Sequence, residues 1–121
     1  RVLIVDDSPV MRELLQHATS LAGSIEVDHA EDGVAALQAV RQAASPYDLV
    51  LIDLNMPLMD GMKLLRFLKE DHAGKDSVLA VVTTEAGDET EAQARSLGAH
   101  HFLTKPVAPS ELMRVLTKAL S

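Results

Sequence analysis

The chain has 121 residues, 47% hydrophobic and 24% charged, which excludes both a two-domain protein and a disordered one. It contains no cysteine, so disulfides, thiolate metal sites and cysteine nucleophiles are excluded as well. A net charge of −7 disfavours direct binding to nucleic acid, and no apolar run approaches the roughly 20 residues that cross a membrane.

These properties predict one soluble, cytoplasmic domain over residues 1–121 that has neither nucleic acid nor a membrane as a partner. Because Arg1 is not a methionine and leads at once into a predicted strand, we also expect either processing or excision from a longer polypeptide.

Five β-rich segments alternate with segments of helical period. The predicted strands cover 2–6, 25–30, 48–53, 78–83 and 101–104, and polar, glycine or proline residues bound them. The first, third and fourth are apolar at nearly every position, which is typical of parallel strands that helices cover on both faces. The second alternates between apolar and polar residues, so we expect it near an edge of the sheet.

Apolar stripes predict the helices between and after these strands, the first of them capped by Ser8 and started by Pro9. The fourth helix, over 89–97 and closed by Gly98, carries alanine where the others carry leucine. Each missing buried side chain forgoes about 1.5 to 3 kcal/mol, so we expect this helix to be the least tightly docked. The stripes of the other helices are Met11, Leu14, Leu15, Ala18 and Leu21; Leu37 and Val40; Leu64, Leu65 and Leu68; and Leu112, Val115, Leu116, Ala119 and Leu120.

The alternation predicts an α/β fold of five βα units around an open parallel sheet. Ligand sites of such sheets form at the edge where the carboxyl ends of the strands meet. Each polar residue there has an ordinary structural explanation, such as a helix cap or a β-branched strand residue, but these explanations do not account for their convergence. The converging residues are Asp6, Asp7, Asp53, Thr83 and Lys105.

Three neighbouring carboxylates repel one another electrostatically unless a bound cation offsets their negative charge. Two like charges about 4 Å apart repel by roughly 4 kcal/mol at an effective dielectric constant of about 20. A hard divalent ion reverses that sign, and Mg²⁺ fits best because it takes few protein carboxylates and shares its remaining positions with water and phosphate oxygens. With Lys105 and Thr83 the cluster predicts a pocket for a small tetrahedral anion, in which Asp53 could attack a phosphoryl group.

Four segments together resemble the receiver domain of two-component response regulators. They are VDDSPVMRELL (5–15), DLNMPLMDG (53–61), VVTTEA (81–86) and FLTKP (102–106), and the match covers essentially the whole chain. The first two look most like chemotaxis-type receivers. The resemblance implies a flavodoxin-like (βα)5 three-layer sandwich whose five-stranded parallel sheet has the order 2-1-3-4-5.

The resemblance also implies roles for individual residues. Asp53 would accept phosphate from a histidine of a sensor kinase or a phosphotransfer protein. Asp7, Asp53 and the backbone carbonyl of Asn55 would hold Mg²⁺ directly, and Asp6 would act largely through water. Lys105 would pair with the phosphoryl group, and the peptide bond from Lys105 to Pro106 would be cis.

The same resemblance implies a switch. Thr83 would move toward the phosphate, and Phe102 would occupy a position where tyrosine is common, without that residue's hydroxyl. Asn55 and Glu85 would flank the phosphate. The fourth helix, fifth strand and fifth helix would change together, and a downstream effector protein or a linked output domain would read that face.

Other residues have structural interpretations. Asp60 and Gly61 predict a turn and a helix start. His100 and His101, adjacent in a strand, point to opposite faces and are poor joint metal ligands. The methionines near the site, Met56, Met59 and Met62, fill gaps beneath it.

Two other function classes are open at this point. A phosphatase with an aspartate nucleophile has a second acid two residues further on, where this chain has Asn55. A flavin-binding protein needs aromatic residues for stacking, and these make up only 2% of the chain. Turnover of p-nitrophenyl phosphate and the absorption spectrum of the purified protein separate these classes from a phosphorylated switch, which catalyses only its own phosphorylation and dephosphorylation.

Overall fold

The computed structural model describes residues 1–71, 74, 76–85 and 87–120. Its five strands are all paired in parallel, in the order β2-β1-β3-β4-β5, so the predicted flavodoxin-like fold is confirmed. Strands and helices alternate along the chain as β1 (Val2–Val5), α1 (Pro9–Ser20), β2 (Val27–Ala30), α2 (Gly33–Gln42), β3 (Leu49–Ile52), α3 (Gly61–Glu70), β4 (Val78–Thr83), α4 (Asp88–Ser96), β5 (His101–Thr104) and α5 (Pro109–Leu120).

The sheet separates two apolar layers because successive residues of a strand point to opposite faces. In β1, Leu3 belongs to the layer that includes side chains of α2, α3 and α4. Its neighbour Ile4 belongs to the layer that includes side chains of α1 and α5. Every residue of β1 and β3 is buried, which explains their continuous apolar sequences, and β2 is an edge strand as its alternation predicts.

The predicted stripe of α1 was partly wrong. Leu14 and Leu21 are 57% and 66% exposed, whereas Leu15 and Thr19 are buried. The buried arc of α1 is centred near Leu15, so Leu14 falls on its margin, and Leu21 lies beyond the last helical residue. Thr19 tolerates burial because its Oγ1 donates to the carbonyl of Leu15 at 2.7 Å. At the end of α5, Leu120 is likewise 39% exposed.

Helix α4 is the most lightly anchored part of the sandwich. Of its nine residues, all in the described part of the chain, Ala94 is buried, and Gly87 at its start provides no side-chain cap. Helix α3, by comparison, buries three leucines. This agrees with the weak docking that its alanine content predicts. Among the described helices, none combines the length and the apolar character that a membrane span requires.

Candidate functional site

The carboxyl ends of β1 and β3 place the three predicted acids next to one another. These strands are neighbours, and the N–H of Asp53 donates to the carbonyl of Val5 at 2.9 Å, so the ladder continues past the last residue of β3. Asp6 and Asp7 follow β1 directly. One carboxylate oxygen from each of Asp6, Asp7 and Asp53 lies within 4.8 Å of the other two. The predicted convergence of these acids is therefore observed.

Lys105 lies within ion-pair distance of two of these acids. Its Nζ lies 2.7 Å from Oδ2 of Asp6 and 3.6 Å from Oδ1 of Asp53. The other carboxylate oxygen of Asp6 accepts from the N–H of Ser8 at 2.9 Å. Both oxygens of Asp6 are thus engaged by the protein, whereas Asp7 is exposed and its carboxylate faces solvent. The peptide bond from Lys105 to Pro106 is cis, as the resemblance implies.

The environment of Asp53 opposes its negative charge. Burial has the largest effect and raises the pKa of Asp53 above its ordinary value of 3.8. The positive charge of Lys105 and the N–H of Asn55 lower this pKa, whereas the negative charges of Asp6 and Asp7 raise it. Three carboxylates surround a single ammonium group, so the cluster keeps an excess of negative charge. Its donors are all hard oxygens, and exposed Asp7 gives access from solvent. This donor set suits a divalent cation such as Mg²⁺.

Thr83 is the last residue of β4, the strand that pairs with β3. It is fully buried, and its Oγ1 accepts from the N–H of Glu85 at 3.1 Å, which leaves the hydroxyl proton available as a donor. The N–H of Lys105 donates to the carbonyl of Thr83 at 2.8 Å, so the two residues are fixed relative to each other. Neighbouring Thr84 is exposed. Of these two adjacent threonines, the one predicted as a site residue, Thr83, is therefore the buried one.

The remaining predicted residues lie around this centre. Asn55 and Glu85 are exposed at the rim, each two residues beyond a site residue. Phe102 is partly buried and packs at the margin of the core layer next to α3 and α4, rather than at the acid cluster. Met56 and Met59 also pack against that layer, as predicted. Their positions alone do not assign them a chemical role.

Sequence reasoning missed a supporting residue on α1. The Nη1 of Arg12 donates to the carbonyl of Asp6 at 2.6 Å, and its Nε is buried with no hydrogen-bond partner in the described part of the chain. Arg12 thus holds the backbone between the two acids that follow β1. The one sequence signal is a cation in the first turns of a helix, next to the apolar Met11, and that signal does not reveal a backbone contact.

Gly61 was predicted to start a helix. Its closeness to the backbone of Asp53 and Leu54 also requires a glycine at this position. Asp60 caps α3 by accepting from the N–H of Lys63 at 2.9 Å, which confirms the predicted turn and helix start. A Cβ atom on Gly61 would overlap the carbonyl oxygen of Asp53 and would lie 2.7 Å from Cα of Leu54. Only a residue without a side chain lets α3 pack this closely beneath Asp53.

We therefore expect Gly61→Ala to displace Asp53. Such an overpacked contact costs about 1 to 3 kcal/mol of stability, and a small misplacement of a reacting group can slow a reaction by about a hundredfold. The rate of phosphorylation by acetyl phosphate measures the second effect. Gly23→Ala is the matched control, since a Cβ there meets nothing within 4 Å although φ is +131°. Equal phosphorylation rates in the two variants would show that the contact does not position Asp53.

Comparison with known proteins gives consistent matches. The family model described as the response regulator receiver domain matches residues 2–117. The two-component response regulator ORR41 of Oryza sativa subsp. japonica is 36% identical over 98% of this chain and 92% of that protein. The chemotaxis protein CheY1 of Helicobacter pylori is 31% identical over 99% of this chain and 96% of its own. The structure of Vibrio cholerae CheY4 superposes with a TM-score of 0.86 at 32% identity, covering 98% of this chain and 96% of that one.

Proposed function

The chain belongs to the response regulator receiver family and is a phosphoacceptor signalling switch, and we propose that Asp53 is the phosphoacceptor, with Lys105 and Thr83 as its catalytic partners. The observation that carries this proposal is the position of Lys105, whose Nζ lies between Asp6 and Asp53 in a cluster of three carboxylates.

In the proposed step, an oxygen of the Asp53 carboxylate forms a bond to phosphorus as the bond from phosphorus to the donor breaks. When the donor is a phosphohistidine, the imidazole nitrogen keeps the bonding electron pair. Lys105 neutralises charge on the phosphoryl oxygens, and the Thr83 hydroxyl donates to one of them. Burial raises the pKa of Asp53, and the positive charge of Lys105 opposes that rise and so favours the ionised, nucleophilic carboxylate.

For the metal we propose the ligands that the resemblance to receiver domains implies. Receiver domains typically bind Mg²⁺, and the three acids could hold such an ion. Asp7, Asp53 and the carbonyl of Asn55 would bind it directly, while Asp6, already engaged by Lys105 and Ser8, would act through water. Bound there, the ion supplies positive charge for the phosphoryl oxygens. This arrangement leaves Lys105 free to move from Asp6 toward the phosphate.

In the proposed switch, phosphorylation of Asp53 changes the conformation of the face that α4, β5 and α5 form. Thr83 moves toward the phosphate, Phe102 repacks on β5, and α4 follows because Ala94 is the residue that anchors it in the core. Asn55 and Glu85, exposed at the rim, influence how fast the phosphate is lost. Receiver domains interact in general with histidine kinases and effectors. For this chain we propose a cytoplasmic kinase or phosphotransfer protein as donor and an effector protein or linked output domain as reader.

Incubation with Mg²⁺ and acetyl phosphate, followed by separation on a phosphate-affinity gel, tests the proposal. We expect a phosphorylated band that disappears with EDTA and in Asp53→Asn. Asp60→Asn is the control, because it alters another aspartate of the same loop while keeping a side chain that can cap α3. Labelling of Asp53→Asn at the parental level would refute the assignment. Multiple turnovers of p-nitrophenyl phosphate would instead indicate a phosphatase, which contradicts a protein that catalyses only its own phosphorylation and dephosphorylation.

A further inference from the structure

Arg12 on α1 contacts the backbone that follows β1. Its Nη1 donates to the carbonyl of Asp6 at 2.6 Å, and this carbonyl belongs to the peptide bond that joins Asp6 to Asp7. A peptide unit is planar from one Cα atom to the next, so a bond that fixes its oxygen also fixes the direction in which the chain enters Asp7. The contact of Arg12 therefore constrains two of the three acids at once.

Every polar group of Asp6 is held by another residue. Its N–H donates to the carbonyl of Ala30 at 3.1 Å, and its two carboxylate oxygens contact Lys105 at 2.7 Å and the N–H of Ser8 at 2.9 Å. Arg12 holds the remaining group, the carbonyl oxygen. Asp6 therefore has one defined orientation, and the peptide bond after it can transmit that orientation to the next residue.

Asp7 has the opposite surroundings. It is exposed, and its carboxylate makes no hydrogen bond or ion pair with any other residue that the structure describes. One of its oxygens nevertheless lies within 4.8 Å of oxygens of Asp6 and Asp53. Since no side-chain partner holds it there, its backbone determines where the carboxylate points. The peptide bond that Arg12 holds is the one through which this backbone joins Asp6.

Helix formation alone does not favour an arginine at this place. Arg12 is the fourth residue of α1, close to the positive end of the helix dipole, where a cation is disfavoured. Its Nε is also buried without a hydrogen-bond partner among the described residues. A buried donor that lacks a partner destabilises the folded state, and such groups are uncommon in native proteins. The bond to the carbonyl of Asp6 is what this otherwise unfavourable side chain provides.

We propose that Arg12 is a positioning residue of the metal site, which holds the peptide bond between Asp6 and Asp7 so that the Asp7 carboxylate points to Mg²⁺. This inference rests on the proposed function, because Asp7 is a metal ligand only by that proposal. Arg12 acts through Asp7 and does not bind the ion itself. Residues that orient the ligands of a metal typically contribute about 10- to 100-fold to its affinity.

The direction in which Arg12→Met changes the Mg²⁺ affinity tests this role. Titration of the ¹⁵N-labelled full chain with magnesium chloride, followed by NMR, measures the affinity without phosphorylation. We expect Arg12→Met to bind Mg²⁺ about tenfold more weakly than the parent. Charge alone predicts the opposite, since removal of a cation near three carboxylates should strengthen the binding of Mg²⁺. An affinity equal to or above that of the parent would overturn the inference.

Two further variants control for charge and for stability. Arg114→Met removes the same side chain from an exposed position of α5 and should keep the parental affinity. Thr19→Ala removes a buried hydroxyl of α1 that donates to the carbonyl of Leu15 at 2.7 Å, so it destabilises the same helix and should also keep that affinity. A loss in either control as large as in Arg12→Met would overturn the inference. Arg12→Gln, a neutral and polar replacement with a shorter side chain, gives the same test should Arg12→Met not fold.

The Mg²⁺ dependence of phosphorylation by acetyl phosphate separates this inference from its premise. Because Arg12 only positions a metal ligand, Arg12→Met should be slow at limiting Mg²⁺ and should nearly regain the parental rate at saturating Mg²⁺. Lys105→Met should stay slow at every Mg²⁺ concentration, because Lys105 acts on the phosphoryl group itself. A rate of Arg12→Met that stays low at saturating Mg²⁺ would overturn the positioning role. Absence of labelling at Asp53 in the parent would overturn the proposed function instead, and the order of the Mg²⁺ affinities would still report on Arg12.

Discussion

Replacing Asp53 with asparagine is expected to stabilise the metal-free protein while it abolishes phosphorylation. The parent carboxylate is buried and lies near Asp6 and Asp7, which raises its pKa, so its ionised form destabilises the folded state. Asparagine keeps the shape without the charge. We expect a gain on the order of 1 to 2 kcal/mol, because relief from repulsion by the other acids is partly offset by lost attraction to Lys105. Urea unfolding in EDTA at neutral pH measures it.

The pH dependence of this difference follows from the direction of the pKa shift. Because the folded state holds the Asp53 proton more tightly than the unfolded state, ionisation lowers the stability of the parent as the pH rises above 3.8. The advantage of Asp53→Asn should therefore be complete only above the raised pKa of the folded state and should shrink as the pH falls toward 3.8. Mg²⁺ should stabilise the parent more than the variant. A variant less stable than the parent in EDTA would contradict this electrostatic description.

Lys105→Met is expected to produce the opposite change in stability together with a loss of phosphorylation. The substitution leaves Asp6, whose side chain is 2% exposed, without the ammonium group at 2.7 Å. Breaking a buried pair on one side costs about 3 to 5 kcal/mol. Loss of a group that stabilises developing charge should also slow phosphorylation by about 10² to 10³-fold. Thermal unfolding and the rate of labelling by acetyl phosphate measure the two effects.

A double variant separates the two roles of Lys105. Asp6→Asn/Lys105→Met removes both partners of the ion pair and should recover much of the lost stability, but its phosphorylation should stay slow. Lys69→Met is the control for loss of a lysine, because that side chain is exposed and, among the described residues, donates to the carbonyl of Ser96 at 3.2 Å. If the double variant regained both stability and rate, Lys105 would be a structural residue alone.

The sequence contains enough information to predict the sheet and the acids at its edge. Continuous apolar runs identify β1, β3 and β4 as buried strands, and a parallel sheet then brings Asp6, Asp7 and Asp53 together without knowledge of any contact. Chain topology alone determines this convergence. The same reasoning gives the position of Lys105, since it follows the last strand.

Features that depend on how elements pack were not predictable in this way. The exposure of Leu14 depends on the rotation of α1 against the sheet, which a stripe of apolar residues defines only to within part of a turn. The contact of Arg12 with the carbonyl of Asp6 depends on the same rotation. Gly61 is a turn residue by its sequence, and the lack of room for a Cβ atom beside the carbonyl of Asp53 arises from the packing of α3.

The most direct test of Asp53 as the phosphoacceptor is the identity of the residue that carries the phosphoryl group. Borohydride reduces an aspartyl phosphate to homoserine, and peptide mass spectrometry locates the converted residue. After treatment with acetyl phosphate and Mg²⁺, we expect homoserine at position 53 in the parent, and none in EDTA or in Asp53→Asn. Conversion at Asp6, Asp7 or any other position of the parent, or conversion at Asp53 that persists in EDTA, would contradict a magnesium-dependent phosphoacceptor at Asp53.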